Sequence, residues 1–547
     1  MGTELLGGTQ LLLGGAVYSP SAPDATAMAV AGGVITWIGS DDVGRTLHPD
    51  AQITDLEGRF VAPGFVDSHV HLTSTGLALL GLTLNDATDR RDCLRRLAVA
   101  AAAADDGEVI WGRGWDDSTW VGSDPADRSH PTTADIDAVV GNRPVYLARV
   151  DEHSALASTA LRRLVPNLAA ASGFHPDEPL VSEAHHLVRG AARRLVTPAM
   201  RARAQRHALD TAAAHGVVAV HENGGPDISG LDDFRALADL DHPVEVRRYW
   251  GQAAENPDHA RELLALTGAD ALGGDLFIDG AIGSHTAWLS QPYADAPGQC
   301  GIAYLSAEEV YRHLRACTLA GIQAGFHVIG DAATAAVVDA LSALAEEIGT
   351  PTLAARAHRL EHAEMVSPAQ AQVLARCGVI ASMQPLFDAA WGGPEQLYAQ
   401  RLGAQRAATL NDFAELARAG VVLSFSSDSP VTPIDPWATV RAAVHHHQPH
   451  SAISARAAFA AASRGGWRAG GVNDGTTGTL VPGAVASYSI WDADDLVVAG
   501  SHANAARWSL DPRSRVPALP DVAPAASLPR CIRTVHRGRD LYVRGRV

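Results

Sequence analysis

Apolar residues in the middle of the chain fall in short runs, and the segments between these runs are rich in alanine, leucine and arginine. Short apolar runs bounded by turn residues predict buried strands, and the longer segments between them predict helices. This alternation is typical of βα units around a parallel sheet. The runs that fit lie at 64–71, 145–150, 217–221, 275–279, 323–329, 358–362, 379–383 and 421–425. Eight such units predict an α/β fold with a closed (β/α)8 barrel of the TIM type.

The two ends of the chain follow a different pattern, in which short β-like runs alternate with glycine, proline and aspartate turns. Their similar character predicts that the two ends pair into one β-sandwich lobe beside the barrel. The predicted boundaries are therefore 1–62 and 476–547 for the two parts of the sandwich, and 63–475 for the barrel.

The segment after the first predicted barrel strand is too long for one crossover helix, which predicts an insertion at about 73–143. It contains Trp111, Trp115 and Trp120. Two interpretations stay open. The insertion is either a lid or pocket wall, with Trp115 in contact with substrate, or a surface helical excursion whose tryptophans fill a core.

Composition excludes several classes of partner. The 547 residues include 61 acidic and 43 basic side chains, and a net charge of −18 opposes binding to nucleic acid. No stretch reaches the roughly 18 uninterrupted apolar residues of a membrane span. The five cysteines are scattered and no positive residue precedes Arg45, so neither a disulfide framework nor a secretory signal is expected. These features predict a cytoplasmic protein that binds neither nucleic acid nor membrane.

Five residues have the types and positions of metal ligands. His69 and His71 are two apart on the first predicted strand, so both imidazoles face the same side. His327, His362 and Asp428 each lie at the end of a later predicted strand. In a barrel these strand ends meet at one mouth, where the five side chains would form a divalent-metal site. Histidine and carboxylate ligands with an open position suit Zn²⁺ first, then Mn²⁺, Fe²⁺ or Co²⁺.

Several motifs link the chain to a known family. They are APGFVDSHVH at 62–71, DEHSA at 151–155, FIDGAIGSHTA at 277–287, HVIGD at 327–331, EHA at 361–363, SDSP at 427–430 and GTLVPG at 478–483. With these motifs the chain resembles the amidohydrolase superfamily, and within it the YtcJ-like branch that includes N-substituted formamide deformylases. The resemblance runs nearly end to end. It implies a barrel wrapped by a β-sandwich from both termini, metal-dependent hydrolysis of carbon–nitrogen bonds other than peptide bonds, and a homodimer.

The chain departs from that family at one position. Many members of the branch carry a lysine on the fourth strand, carboxylated so that it bridges two metals. Asp275 occupies the matching position here, and the chain contains no lysine at all, so a carboxylated lysine is excluded. Asp275 is short and begins its predicted strand, which argues against its reaching the metals.

Two arrangements of the metal centre remain open. In the first, which is favoured, one ion is bound and His362 hydrogen-bonds to the bound water. The ligands of that ion would be His69, His71, His327 and Asp428. In the second arrangement two ions share a carboxylate, supplied by Asp275 or by Glu222.

The predicted reaction is hydrolysis of an amide-type bond of a small molecule by metal-activated water. Asp428 would accept the proton of the water and pass it to the departing amine, and His362 or His153 would stabilise the oxyanion. The remaining predicted substrate contacts follow the second and fourth strands; they are Glu152, His153, Asp279 and His285. Arginine is common in the family at the position of His285, so a preference for formamides does not follow. Loop capping is the alternative role for each of them.

Two other functions use the same pattern. A mononuclear deaminase of an amino-heterocycle would have the same ligands, but it usually carries a glutamate three residues after the fifth-strand histidine, where Gly330 and Asp331 lie here. A barrel that binds small molecules without catalysis is the other alternative, since the bridging lysine is missing.

Overall fold

The structure of the protein is a computed structural model. It describes residues 8–105, 107–117, 120–121, 124–149, 154–226, 228–498 and 516–545. The chain divides into two compact units, one formed by Met1–His71 together with Leu209–Val547, and the other by Leu72–Ala208. Among the described residues, every helix is too short or too polar to cross a membrane.

The first unit begins with a sheet of short strands. Its elements are β1 (Gln10–Leu13), β2 (Ala16–Val17), β3 (Ala27–Ala31), β4 (Val34–Gly39), α1 (Asp41–Leu47), β5 (Gln52–Asp55), β6 (Phe60–Pro63) and β7 (Phe65–Val70). Four of these strands form a sheet in the order β4-β3-β1-β5. Strand β7 carries His69 and belongs to a different sheet, described below.

The second unit contains its own mixed sheet. Its elements are α2 (Leu72–Leu80), β8 (Leu82–Thr83), α3 (Arg90–Ala103), β9 (Ile110–Trp115), α4 (Thr133–Val140), β10 (Val145–Arg149), β11 (Ser154–Ala157), α5 (Thr159–Arg162), β12 (Leu180–Val181) and α6 (Ser182–Arg194), with α7 (Pro198–Ala214) continuing into the first unit. Short 3₁₀ helices lie at Pro125–Arg128 and Leu168–Ala170. The strand order is β12-β11-β10-β9-β8.

The strand predicted at 145–150 is therefore not the second strand of the parallel sheet. It forms as β10, but it pairs with β9 in parallel and with β11 in antiparallel orientation inside the second unit. The apolar run predicted a buried strand correctly, but it did not specify which strand would be its neighbour. The second unit also runs past the predicted end of the insertion near 143, since it extends to Ala208.

The first unit resumes with alternating strands and helices. They are β13 (Val217–Gly224), α8 (Leu231–Ala236), β14 (Glu245–Trp250), α9 (Pro257–Thr267), β15 (Ala271–Leu272), α10 (Ala307–Ala320), β16 (Gly325–Val328), α11 (Asp331–Ile348), α12 (Thr350–Ala354), β17 (Arg359–His362), α13 (Pro368–Arg376), β18 (Ile380–Met383), α14 (Pro385–Trp391), α15 (Leu397–Leu402), α16 (Ala404–Ala407), α17 (Phe413–Ala419), β19 (Val422–Phe425), α18 (Pro436–Val444), α19 (Ala455–Ala460) and α20 (Gly466–Ala469). A π-helical turn at Ala461–Gly465 joins the last two helices.

These seven strands and β7 run parallel in two sheets. One sheet has the order β15-β14-β13-β7 and the other the order β16-β17-β18-β19. Isolated parallel bridges connect the sheets on both sides, from Leu272 to Ala324 and from Val70 to Ser429. The carboxyl ends of all eight strands therefore lie at one edge, where the predicted ligands are found.

The observed strands in this region differ from the predicted ones at two places. Strand β14 was not predicted, because its first four residues, Glu-Val-Arg-Arg, are half-buried and do not form an apolar run. The segment 275–279 is not a regular strand, although Phe277 makes one parallel bridge to His327. The fourth strand of the parallel series is β15, and Asp275 lies in the loop that follows it.

The C-terminal strands return to the N-terminal ones. They are β20 (Tyr488–Asp492), β21 (Leu496–Val497), β22 (Leu519–Pro520), β23 (Arg530–His536) and β24 (Arg539–Val543), and the sheet order is β2-β6-β20-β23-β24. Strand β20 pairs with β6, so segments from both ends of the chain share this sheet. One core contains Leu12 and Met28 from the first sheet together with Tyr488 and Val535 from the second.

Candidate metal centre

Four histidines and two aspartates meet at the carboxyl ends of the parallel strands. His69 lies on β7 and His71 directly after it, while His327 is on β16 and His362 ends β17. Asp275 and Asp428 come from the loops after β15 and β19. The five residues predicted as metal ligands are thus brought together, and Asp275 joins them.

One set of donor atoms has the spacing of a tetrahedral metal site. The Nε2 atoms of His69 and His71 lie 3.5 and 3.2 Å from Oδ1 of Asp428. Nε2 of His69 also lies 3.5 Å from Oδ1 of Asp275, and Nε2 of His71 lies 3.2 Å from Oδ2 of Asp275. Ligands bound at about 2.0–2.1 Å to one tetrahedral ion are about 3.3 Å apart, which matches these distances.

Asp275 also contacts the other two histidines. Its Oδ1 atom lies 3.3 Å from Nδ1 of His327 and 3.8 Å from Nε2 of His362. These contacts were not expected from the sequence, because the side chain of Asp275 is short. The carboxylate nevertheless lies between the two pairs of histidines, because the loop after β15 carries its backbone over the strand ends.

Two buried atoms in this cluster have no hydrogen-bond partner, namely Nε2 of His69 and Oδ1 of Asp428. Buried polar atoms are almost always paired in folded proteins. A cation between these two atoms would satisfy both lone pairs. Two groups of described residues have donor atoms close enough to hold a cation: His69 with Asp275 and His362, and His69 with His71 and Asp428. The donor set therefore fits a divalent metal.

The remote nitrogen of each histidine has a partner that orients the ring. The pairs are His69 Nδ1 with Glu361 Oε2 at 3.0 Å, His71 Nδ1 with the carbonyl of Asn223 at 2.9 Å, His327 Nε2 with the carbonyl of Gly280 at 3.2 Å, and His362 Nδ1 with Gln384 Oε1 at 2.8 Å. Carbonyl and carboxylate oxygens accept hydrogen bonds, so the remote nitrogens donate and the inward nitrogens keep their lone pairs for a cation.

The backbone is strained at this edge. His362, Ala363 and Asp428 have positive φ angles of 69°, 47° and 52°. Such conformations cost about 1–3 kcal/mol each for residues other than glycine. They are held in part by hydrogen bonds from the amide of Asp428 to the carbonyl of His69 and from the amide of Ala363 to the carbonyl of Val328, both 2.9 Å. Strain of this kind concentrates at functional sites.

The carboxylates dominate the electrostatics of the cluster. Burial alone would lower the pKa of His69, but the charges of Asp275 and Asp428 raise it well above its usual value. The same balance raises the pKa of His71 to about 10. Burial alone would raise the pKa of Asp275, yet the neighbouring histidines hold it well below its usual value. A cation would compete with protons for these groups, so its binding releases protons.

Glu222, the other predicted bridging carboxylate, is buried on β13. It belongs to neither of the two groups of described residues whose donor atoms are close enough to hold a cation. Asp275 is the bridging candidate whose carboxylate contacts the histidines.

The predicted substrate contacts have other partners in the structure. The buried carboxylate of Asp279 accepts hydrogen bonds from the backbone amides of Trp288, Ile329 and Gly330, at 2.9, 3.0 and 2.7 Å. His285 pairs through Nε2 with Asp295 at 2.9 Å. Asp279 therefore holds loops in place, which is the capping alternative, and the described ion-pair partner of His285 is a protein carboxylate.

Trp115 lies in the second unit, where it is 1% exposed and its indole N–H donates to the carbonyl of Leu147 at 2.9 Å. This position agrees with the alternative in which the tryptophans fill a core. Glu152 and His153 lie outside the described residues, so their predicted roles stay predictions.

A pair of charged residues below the cluster, Arg359 and Glu361, was not predicted from the sequence. Both side chains have 0% exposure and form a salt bridge at 2.9 Å. Their signal was available, because charged residues two apart on an apolar strand share a buried face and need partners there.

Comparison with known proteins gives consistent results. A model of the amidohydrolase family matches residues 52–542. The putative amidohydrolase YtcJ of Bacillus subtilis strain 168 is 26% identical over 456 residues, covering 78% of this chain and 81% of that protein. An N-substituted formamide deformylase of Arthrobacter pascens is 25% identical over 456 residues, covering 75% and 78%. The crystal structure of an uncharacterized metal-dependent hydrolase from Pyrococcus horikoshii OT3 has a TM-score of 0.71 and 25% identity, covering 89% of this chain and 98% of that chain.

Proposed function

Since the chain belongs to the amidohydrolase family, in its YtcJ-like branch, and is a metal-dependent hydrolase with an α/β fold, we propose that it cleaves the C–N bond of a non-peptide amide in a small molecule. The observation that carries the proposal is the convergence of His69, His71 and Asp428 around two buried atoms that lack hydrogen-bond partners.

We infer that the eight parallel strands close into a (β/α)8 barrel. The two bridges that connect both sides of the two parallel sheets support closure. The shared core of the terminal sheets supports a β-sandwich lobe built from both ends of the chain. The domain limits near 62 and 476 stay predictions. On this interpretation the insertion after the first barrel strand comprises the whole second unit, Leu72–Ala208.

We further propose that the centre takes two divalent ions that share Asp275. One ion would be held by His69, His71, Asp428 and Oδ2 of Asp275, and the other by His327, His362 and Oδ1 of Asp275. The position of Asp275 between the histidine pairs, 3.2 Å from His71 and 3.3 Å from His327, supports this arrangement over the one-ion arrangement that the sequence favoured. Zinc, a homodimer and a cytoplasmic location stay predictions.

A divalent cation, when bound here, supplies Lewis-acid activation of water and polarisation of the amide carbonyl. The protein supplies the proton transfers. Asp428 would take a proton from the attacking water and deliver it to the nitrogen of the departing amine, so that the amine leaves as a neutral molecule. The hydrogen bond from its amide to the carbonyl of His69, at 2.9 Å, holds the Asp428 carboxylate beside the histidines. His153 stays the predicted donor to the oxyanion.

The test is turnover of a broad panel of N-acyl and N-formyl amines by the native enzyme reconstituted with Zn²⁺, Mn²⁺ or Co²⁺. Release of a carboxylic acid and an amine, abolished in Asp428→Asn and retained in the exposed control Asp258→Asn, would support the proposal. Ammonia release from amino-heterocycles instead would favour the deaminase alternative. Metal binding without turnover of either panel would favour the binding barrel.

A further inference from the structure

A buried ion pair lies directly below the candidate metal centre. The guanidinium of Arg359 binds Glu361 through two hydrogen bonds, from Nε to Oε1 and from Nη2 to Oε2, both 2.9 Å. Both side chains are completely buried. A bidentate contact of this kind fixes the orientation of the carboxylate as well as its position.

Arg359 is itself held on several sides. Its Nη1 donates to Nδ1 of His221 at 2.8 Å, and its Nη2 donates to the carbonyl of Ser68 at 2.7 Å. The guanidinium also lies over the ring of Tyr249, 4.3 Å from the ring centre. These contacts come from β7, β13 and β14, three strands of the other parallel sheet, so the packing between the two sheets fixes the position of Arg359.

The carboxylate that Arg359 orients is the partner of one metal-ligand candidate. Oε2 of Glu361 accepts the hydrogen bond from Nδ1 of His69 at 3.0 Å. Among the four described histidines of the cluster, the other three donate to neutral oxygens, those of Asn223, Gln384 and Gly280. A charged acceptor makes the opposite nitrogen of the imidazole a better electron donor, so His69 is the strongest donor of the set.

Stability does not account for this pair. A buried ion pair adds little to the free energy of unfolding compared with well-packed apolar residues, because both charges must be desolvated. Its position, one hydrogen bond away from His69, places the pair beside the metal-ligand candidates.

We propose that Arg359 and Glu361 are positioning residues that make the cation site built on His69, His71 and Asp428 the tighter of the two sites. The inference rests on the two-ion centre of the proposed function. The site built on His327 and His362, which lacks a charged partner behind its histidines, then exchanges its ion more readily.

The first measurement uses the native protein loaded with Zn²⁺ and dialysed against a graded series of chelator concentrations. Zinc per chain, measured by inductively coupled plasma mass spectrometry, should fall in two steps with a plateau at one equivalent. Loss of both ions in a single step would overturn the inference. A native protein that binds no zinc would overturn the proposed function as well, which separates the two failures.

The second measurement uses Glu361→Gln, which keeps the shape and an acceptor oxygen but removes the charge. The tight step should weaken by about 10–100-fold, while the weak step is unchanged. Because the variant leaves Arg359 unpaired, the double variant Arg359→Met/Glu361→Gln is measured beside it and should show the same selective loss. The control is Glu308→Gln, which removes an exposed carboxylate paired with Arg312.

The visible absorption spectrum of bound Co²⁺ is a readout that a merely structural role of the pair would not change. In the Co²⁺-loaded double variant the visible absorption of the tight site should shift, since the donor strength of His69 changes. Unchanged affinity and spectrum in the folded double variant, or equal weakening of both steps, would overturn the inference.

Discussion

Oδ1 of Asp275 lies 3.3 Å from Nδ1 of His327, although the two residues are 52 positions apart in the chain. This contact puts a carboxylate beside the predicted ligands in a chain that has no lysine to carboxylate. An aspartate is shorter than a carboxylated lysine, so the loop after β15 must bring the Asp275 backbone close to the ligands.

Asp275→Asn should reduce the metal content from two ions per chain to one or none. The amide keeps the shape of the side chain but loses the charge that both ions would share. Metal content by mass spectrometry after dialysis checks the outcome, with Asp258→Asn as the exposed control. Two ions retained in Asp275→Asn would contradict a bridging role.

Asp428→Asn should lower kcat by about 10²–10⁴-fold, the range that a positioned proton-transfer group contributes. Asparagine is nearly the same size, so the thermal unfolding midpoint should change little. Steady-state kinetics of the variant reloaded with metal provide the measurement. Activity within a few-fold of the native enzyme would remove Asp428 from the proposed mechanism.

Asp279→Ala should lower the free energy of unfolding by about 1–3 kcal/mol, because three backbone amides would lose their acceptor. Urea unfolding of the variant and of the exposed control Asp494→Ala measures the difference. Unchanged stability combined with a large increase in KM would instead favour the substrate contact predicted from the sequence.

Glu245 should make stability depend on pH in the acid range. Its pKa is lowered, first by the hydrogen bond with His536, which opposes the effect of burial, and then by Arg537. A carboxylate with a lowered folded-state pKa stabilises the protein above its unfolded pKa of about 4.3, and this contribution is lost as the pH falls through the folded pKa. Because Glu245 is partly exposed, the contribution at pH 7 is at most about 1 kcal/mol.

The difference in unfolding midpoint between the native protein and Glu245→Gln should therefore be present at pH 7 and vanish in strong acid. Thermal unfolding across this range gives the answer. A difference that grows as the pH falls would have the wrong sign for this carboxylate.

The local sequence pattern predicted most of the residues that form the cluster. His69 and His71 alternate on one strand, so their shared face follows from the two-residue period of a strand. His327, His362 and Asp428 each end an apolar run, and the carboxyl ends of parallel strands meet at one edge. The absence of lysine is a property of the sequence alone, and it excluded a carboxylated lysine before the fold was known.

Tertiary structure decided what depends on contacts between distant segments. The run at 145–150 formed a strand, but its pairing with β11 placed it in the second unit, and no local pattern distinguishes one neighbour from another. Asp275 reaches the histidines because of the path of a loop, which hydrophobic periodicity does not describe. The hydrogen bond between His69 and the Glu361 carboxylate that Arg359 orients likewise joins residues far apart in sequence, and only packing between the two parallel sheets brings them within hydrogen-bonding distance.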